Sequence, residues 1–310
     1  MTVRKAVKHY IEWKKSCGLR FDSIARFFDS FCDCLGHSEL SQVNPKHVRA
    51  FLDKPSSSNA TWQQNFDKLG LFFRYCRING YIKRVPLPKR RRRSVQLFVP
   101  YIYSLSEIRR LTNRTILQKY LSGTLAGVET FRTFLLFLYG TGVFVTEALT
   151  LHVSDVDLKR LTIKVKRHED QKVRLIPIGR DVARLLSRYL NNPNRKALHS
   201  ELVFVTAEGK PVSPITLRAN FKIIRRALKI VVADTPTHQP RMHDLRHTFA
   251  VHQITRWYEQ RLNVEKMIPA LACYLGRVGI RSTERYLHLT PRHFRGSVSV
   301  SPRRRKNVLA

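Results

Sequence analysis

The sequence predicts a mainly α-helical chain with one small antiparallel β-sheet, an α+β protein of two domains. Three observations predict it. Apolar residues recur at helical spacing through most of the chain. Two short runs, Leu161-Thr162-Ile163-Lys164-Val165 and Val173-Arg174-Leu175-Ile176-Pro177-Ile178, flank a polar segment and read as a hairpin. Between a purely helical front and this mixed remainder lies Val85-Pro86-Leu87-Pro88-Lys89-Arg90-Arg91-Arg92-Arg93, whose prolines and five consecutive cations suit an extended, solvated linker. At 310 residues the chain has room for two domains with separate cores.

The first domain, residues 1–85, reads as helices. Val3, Ala6, Tyr10 and Trp13 share a face, as do Ile24, Phe27, Phe28 and Phe31. Asn44-Pro45 marks a helix start before Val48, Phe51 and Leu52. A polar break at residues 54–59 precedes a run with Trp62, Phe66, Leu69, Phe72, Phe73 and Cys76. Residues 86–100 form the basic linker. The second domain, 101–296, opens with Ser104-Leu105-Ser106-Glu107, a capping-box spacing. Residues 130–139 are apolar nearly all round, a buried helix, with Gly140 and Gly142 expected to stop it. A helix resumes at Thr146, and Asp155-Val156-Asp157-Leu158 closes that unit. After the hairpin, Val182, Leu185, Leu186 and Tyr189 mark a helix. Leu202-Val203-Phe204-Val205, a turn at Glu208-Gly209-Lys210 and a helix with Leu217, Phe221, Ile224 and Leu228 follow. The tail, 297–310, is basic and reads as disordered.

Charge dominates the composition. The chain carries 57 Lys plus Arg against 22 Asp plus Glu, a net of +35, and calls for a polyanionic partner, nucleic acid first. The lysines and arginines threaded through the first domain favour a DNA-gripping surface over a plain solvated bundle. A membrane partner would bring an amphipathic helix or lipidation signal, and neither is seen. No apolar run approaches the roughly 20 residues that span a bilayer. Met1-Thr2-Val3-Arg4-Lys5 leads into mixed polar sequence rather than an apolar signal core, so a cytoplasmic location is expected. The five cysteines are scattered, without a disulfide framework or metal spacing, and read as reduced core thiols.

Chemistry concentrates in Met242-His243-Asp244-Leu245-Arg246-His247-Thr248-Phe249-Ala250. In a helix, His243, Arg246 and His247 fall at i, i+3 and i+4 on one face, while Leu245 and Phe249 anchor elsewhere. Two imidazoles and a guanidinium suit the divided charge of a phosphodiester at its transition state. On these residues alone a buried, hydrogen-bonded polar cluster is an equal reading.

The order of motifs tips the balance. Gly140-Thr141-Gly142, Glu147-Ala148-Leu149, the hairpin, His243 to Ala250, Tyr274-Leu275-Gly276 and Tyr286 together resemble the tyrosine recombinases, or phage-type integrases. The likeness covers about residues 100–295, and the basic helical front resembles that family's core-binding domain. The resemblance implies a site-specific strand transferase of a mobile genetic element, serving integration or transposition in the bacterial cytoplasm, on the nucleoid. A tyrosine hydroxyl attacks duplex DNA, leaving a 3′-phosphotyrosyl link and a free 5′ hydroxyl, without metal or nucleotide cofactor. Two such steps divide one hard reaction. Family members act as tetramers on DNA, and paralogous recombinases can share one assembly.

By the same resemblance, Tyr286 is the nucleophile, Arg246 the second catalytic arginine and His243 the histidine three residues before it. His247 and Arg174 are expected at the substrate. The pattern then breaks. Phe144 stands where the family has its first arginine, and phenylalanine neither donates a hydrogen bond nor carries charge. Losing one transition-state donor costs on the order of 10²–10³ in rate. Arg277 replaces the usual histidine or tryptophan; it can donate to a phosphate but not shuttle protons. For the hairpin lysine, counting back from Arg174 gives Glu169, and counting forward gives Lys166 or Arg167. Lys166 is the choice and Lys172 the reserve. The expectation is a recombinase with impaired cutting, or a non-catalytic DNA-binding partner of an active one.

Overall fold

The computed structural model describes residues 1–18, 22–53, 59–90, 99–124, 127–167, 172–232, 239–276 and 279–290. The chain divides into two compact units, Met1–Phe98 and Val99–Ala310.

The first unit holds α1 (Val3–Ser16), α2 (Asp22–Leu35), α3 (Pro45–Leu52) and α4 (Asn59–Ile78). Local chemistry sets the starts. The Thr2 hydroxyl accepts from the Lys5 amide, and the Asn44 side-chain Oδ1 accepts from the Lys46 and His47 amides, with Pro45 in the first turn. The buried core is rich in aromatics, with Tyr10, Phe28, Phe31, Phe51, Trp62, Phe72 and Phe73. Several meet edge-on, as Phe31 does Phe51 at 5.0 Å. The expected linker differs at its front end. Residues 85–88 are not solvated: Pro86 and Pro88 are buried, and Leu87 packs over Gly70, whereas Lys89 and Arg90 are exposed. Arg90 donates to Gln63 (2.9 Å) and Asp67 (2.6 Å) on α4. The four apolar residues Val85 to Pro88 ahead of the cation run give this segment a packing face that its charge concealed. The remaining cations, Arg91 to Arg93, and the basic tail lie outside the described residues.

The second unit begins with α5 (Leu105–Leu111), closed by the expected Ser104–Glu107 capping box, then α6 (Arg114–Leu121) and α7 (Val128–Thr141). Most of α7 is buried. Its stop is Gly142, with φ +62°, where a Cβ would sit 2.4 Å from Phe249. Gly140 is no stop but a helical residue; its missing Cβ makes room for Val182, which would be 2.6 Å away. Next come α8 (Val145–Leu149) and a three-stranded antiparallel sheet, β1 (Val156–Asp157), β2 (Thr162–Lys166) and β3 (Val173–Pro177), in that order. The residues expected only to close a unit thus contribute an edge strand. The register pairs Val165 with Arg174 and Lys166 with Val173. Ile163, Val165 and Ile176 are buried, whereas Lys164, Lys166 and Leu175 are exposed. After α9 (Arg180–Leu190) and α10 (Pro193–Lys196), the segment around Leu202 to Val205 makes isolated bridges rather than a strand. The unit ends with α11 (Pro214–Ala227), α12 (Asp244–Glu259), α13 (Val264–Tyr274) and α14 (Arg281–Glu284).

Among the described residues no helix is long and apolar enough to cross a membrane. All five cysteines are free thiols; Cys32 and Cys76 are in the core as expected, but Cys17, Cys34 and Cys273 are exposed.

Candidate active site

The motif around Arg246 opens α12, with His243 in the cap position and Asp244 the first helical residue. The Asp244 carboxylate accepts from the Arg241 amide (2.8 Å) and guanidinium (3.1 Å), a favoured place for an anion. Leu245 enters the main core as expected. Phe249 lies half-buried against a smaller core formed by α12, α13 and Tyr286.

Tyr286 is fully buried. Its hydroxyl and His247 Nδ1 share a hydrogen bond of 2.8 Å, the donor depending on the imidazole tautomer. The His247 ring meets His243 edge-on at 5.2 Å. His243 stacks on Phe144, with ring centroids 5.5 Å apart and planes within 12°. Phe144 in turn lies under the Arg246 guanidinium, 3.8 Å from its central carbon. Tyr286, His247, His243, Phe144 and Arg246 therefore form one unbroken line of contacts. Four residues predicted from the sequence come together, and the phenylalanine sits in their midst.

Arg246 is only 1% exposed. Its two terminal nitrogens donate to the carbonyls of Gly142 and Leu275, tying the turn after α7 to the turn after α13. A second guanidinium braces the same turns. Arg174 holds Glu147 with both terminal nitrogens (2.7 and 2.9 Å), and its Nε donates to the Tyr274 carbonyl at 3.1 Å. Glu147 also accepts from the Phe144 amide at 2.9 Å, so the Arg174 fork fixes Phe144 through it. Arg174, expected at the substrate, is engaged here as a brace within the protein. Bidentate pairing of this kind fixes geometry as well as charge.

Lys166 does not join this group. Strand alternation places it beside Val173 on the exposed sheet face, opposite the face of Val165 and Arg174. Arg167 is half-buried, and Lys172 is exposed. Glu169 and Arg277 lie outside the described residues. Tyr274 is a further tyrosine near the site: it stacks on Phe249, donates to the Pro177 carbonyl, and burial drives its hydroxyl pKa far up. Among the described residues no group of His, Cys, Asp and Glu is gathered to hold a metal ion.

This arrangement, a buried phenol hydrogen-bonded to an imidazole beside an arginine on the start of one helix, can be set against known proteins. The pattern of the phage integrase family matches residues 126–293, more than half of the chain. The chain belongs to the phage integrase family. An integrase/recombinase of Sinorhizobium fredii is 27% identical over 94% of this chain and 94% of its own length. The tyrosine recombinase XerC of Chlorobaculum tepidum is 28% identical, covering 86% of this chain and 82% of that protein. Among solved structures, the lambda integrase dimer bound to a core site shares the fold with TM-score 0.64 at 16% identity, over 90% of this chain and 96% of that one. The Tn1549 transposon integrase in complex with transposon right end DNA gives 0.67 at 17%, over 92% and 94%. The mostly helical fold with its small antiparallel sheet is thus that of the integrases.

Sequence reasoning passed over Glu147 as a site residue, although it lay in a quoted motif. It also passed over Gly276, at φ +67°, where a Cβ would fall 2.8 Å from Arg174. The only signal for either was the motif itself, because their partner lies on β3.

Proposed function

We propose that the protein is a DNA strand transferase of a mobile element, acting on duplex DNA through Tyr286, with its own cutting impaired. One observation carries the reading: the Phe144 ring lies 3.8 Å over the Arg246 guanidinium, where the family pattern has a second cation. In the reaction the Tyr286 oxygen forms a bond to phosphorus as the bond to the 5′ oxygen breaks, and that oxygen leaves as a hydroxyl with a proton from the hairpin lysine. His247 Nδ1, 2.8 Å from the hydroxyl, is placed to take its proton. Arg246 and His243 stabilise the charge on the non-bridging oxygens. A phenyl ring supplies none of this, and its loss of one donor slows the step by on the order of 10²–10³. Arg277 is the candidate to offset part of that loss. No metal or nucleotide cofactor is required. Lys166 is retained as the hairpin lysine only if the hairpin turns over on DNA.

The engagement of Arg246 with two backbone carbonyls favours a second reading. The chain is then a DNA-binding subunit in a tetramer whose active members are paralogous recombinases, working where the DNA is, on the bacterial nucleoid. A nicked suicide substrate bearing the ends of the encoding element tests both. A covalent protein–DNA band that disappears in Tyr286→Phe supports the transferase. DNA binding without a band, with cleavage restored by Phe144→Arg plus Arg277→His, supports the non-catalytic subunit. Absence of DNA binding sinks both.

A further inference from the structure

Beside Phe144 and His243 the surface opens into a cavity of about 500 Å³ that none of the roles above uses. Phe144 forms part of its wall, and Phe221 and Met242, 4% and 5% exposed, form its apolar floor. Arg218 and Lys222 also line it; they are exposed, one helical turn apart on α11, and have no side-chain partner among the described residues. An apolar recess rimmed by unneutralised cations is an unusual combination. A bare phosphate needs no apolar floor, and an apolar peptide gains nothing from two cations. A nucleotide needs both, because its base has flat apolar faces and its phosphates are anionic.

We propose that this cavity holds one nucleobase drawn out of its stack, with the neighbouring phosphates on Arg218 and Lys222. The inference rests on the reading that this chain acts on DNA, and adds what its site takes in besides a phosphodiester. Exchanging strands requires bases near the cut to leave one partner before they pair with another. A cavity walled by His243 shelters a base in that interval, and an unpaired base is the cheapest to extrude.

The test compares, by fluorescence anisotropy on the full chain, a thymidine decamer with a decamer of abasic tetrahydrofuran units carrying the same number of phosphates, and a random duplex alongside. The thymidine decamer is expected to bind roughly tenfold more tightly, the size of one base stacked on protein. Thr146 is exposed and lines the cavity, so Thr146→Trp fills it. That variant should lose the advantage of the bases and keep the affinity for the abasic decamer. Arg218→Ala with Lys222→Ala should weaken both decamers alike. If Thr146→Trp melts early by circular dichroism, Pro214→Trp fills the cavity from the α11 side. Equal binding of the two decamers, or an advantage that survives filling, overturns the proposal while duplex binding leaves the DNA reading standing. A cavity-filling variant that instead splits a dimer of this chain overturns it in favour of self-association. Failure to bind either decamer and the duplex overturns both readings together.

Discussion

At position 276 a hydrogen atom in place of a side chain lets a guanidinium pass. Gly276 has φ +67°, and a Cβ there would lie 2.8 Å from Arg174 Nη1. Gly276→Ala therefore incurs the left-handed backbone cost of about 1–2 kcal/mol and also displaces a buried ion pair. Urea denaturation should show a loss above that figure; a loss confined to about 1–2 kcal/mol would mean Arg174 swings aside freely. Glu147 is the other half of the brace, with its side chain 1% exposed. Glu147→Gln leaves the Arg174 charge buried without its counterion, for which about 3–5 kcal/mol is the usual cost. The same scale separates the thiols. Burial pushes Cys32 up to about 11 and Cys76 up to about 12, while Cys17, Cys34 and Cys273 are exposed. Iodoacetamide at pH 8 should alkylate the three exposed thiols within minutes and the two buried ones only after unfolding. Mass spectrometry reads the sites, and early labelling of Cys76 would show that the first unit opens locally.

Elements differed in how far the sequence revealed them, and the difference follows the distance over which their causes act. The Asn44 cap and the Ser104–Glu107 box are settled within three residues, and both stand as read. Strand β1 has two residues and exists only through its pairing with β2, so no local pattern announces it. Gly140 looked like a helix stop because its reason for being glycine, Val182, is some forty residues away on α9. The motif on α12 was legible as a polar face, but the His247–Tyr286 bond spans 39 residues and has no local signature. Lys166 was chosen by counting, and counting cannot say which sheet face a residue takes when the register is unknown. Helix α12 also carries a titrating group beyond the site. His252 shares a hydrogen bond of 3.0 Å with the Tyr139 hydroxyl, and burial, then the Arg256 cation, hold its pKa below the ordinary 6.5. A folded value below the unfolded one means that its contribution is present above pH 6.5 and is lost as pH falls towards the depressed value. Stability should fall as pH drops below about 6.5, and His252→Gln should flatten that part of the profile. An unchanged slope in the variant would assign the acid sensitivity to other groups.

For the whole molecule the controlling quantity is charge. A net of +35 on 310 residues favours any polyanion. Each phosphate neutralised by Lys or Arg releases condensed counterion, so affinity should fall steeply with salt. If the chain engages about 6–10 phosphates, binding to a random duplex should weaken by roughly 10³–10⁵ between 50 and 200 mM salt. That slope says nothing about which bases are read, because phosphate contacts position a protein and base contacts specify. The informative comparison is therefore between a random duplex and the ends of the encoding element, titrated over the same salt range. Parallel lines displaced by a constant factor would mean that sequence is read on top of an unchanged phosphate footprint. Coincident lines would leave the chain with a charge-driven grip alone, and a slope near zero would remove phosphate contacts as the explanation of its basicity.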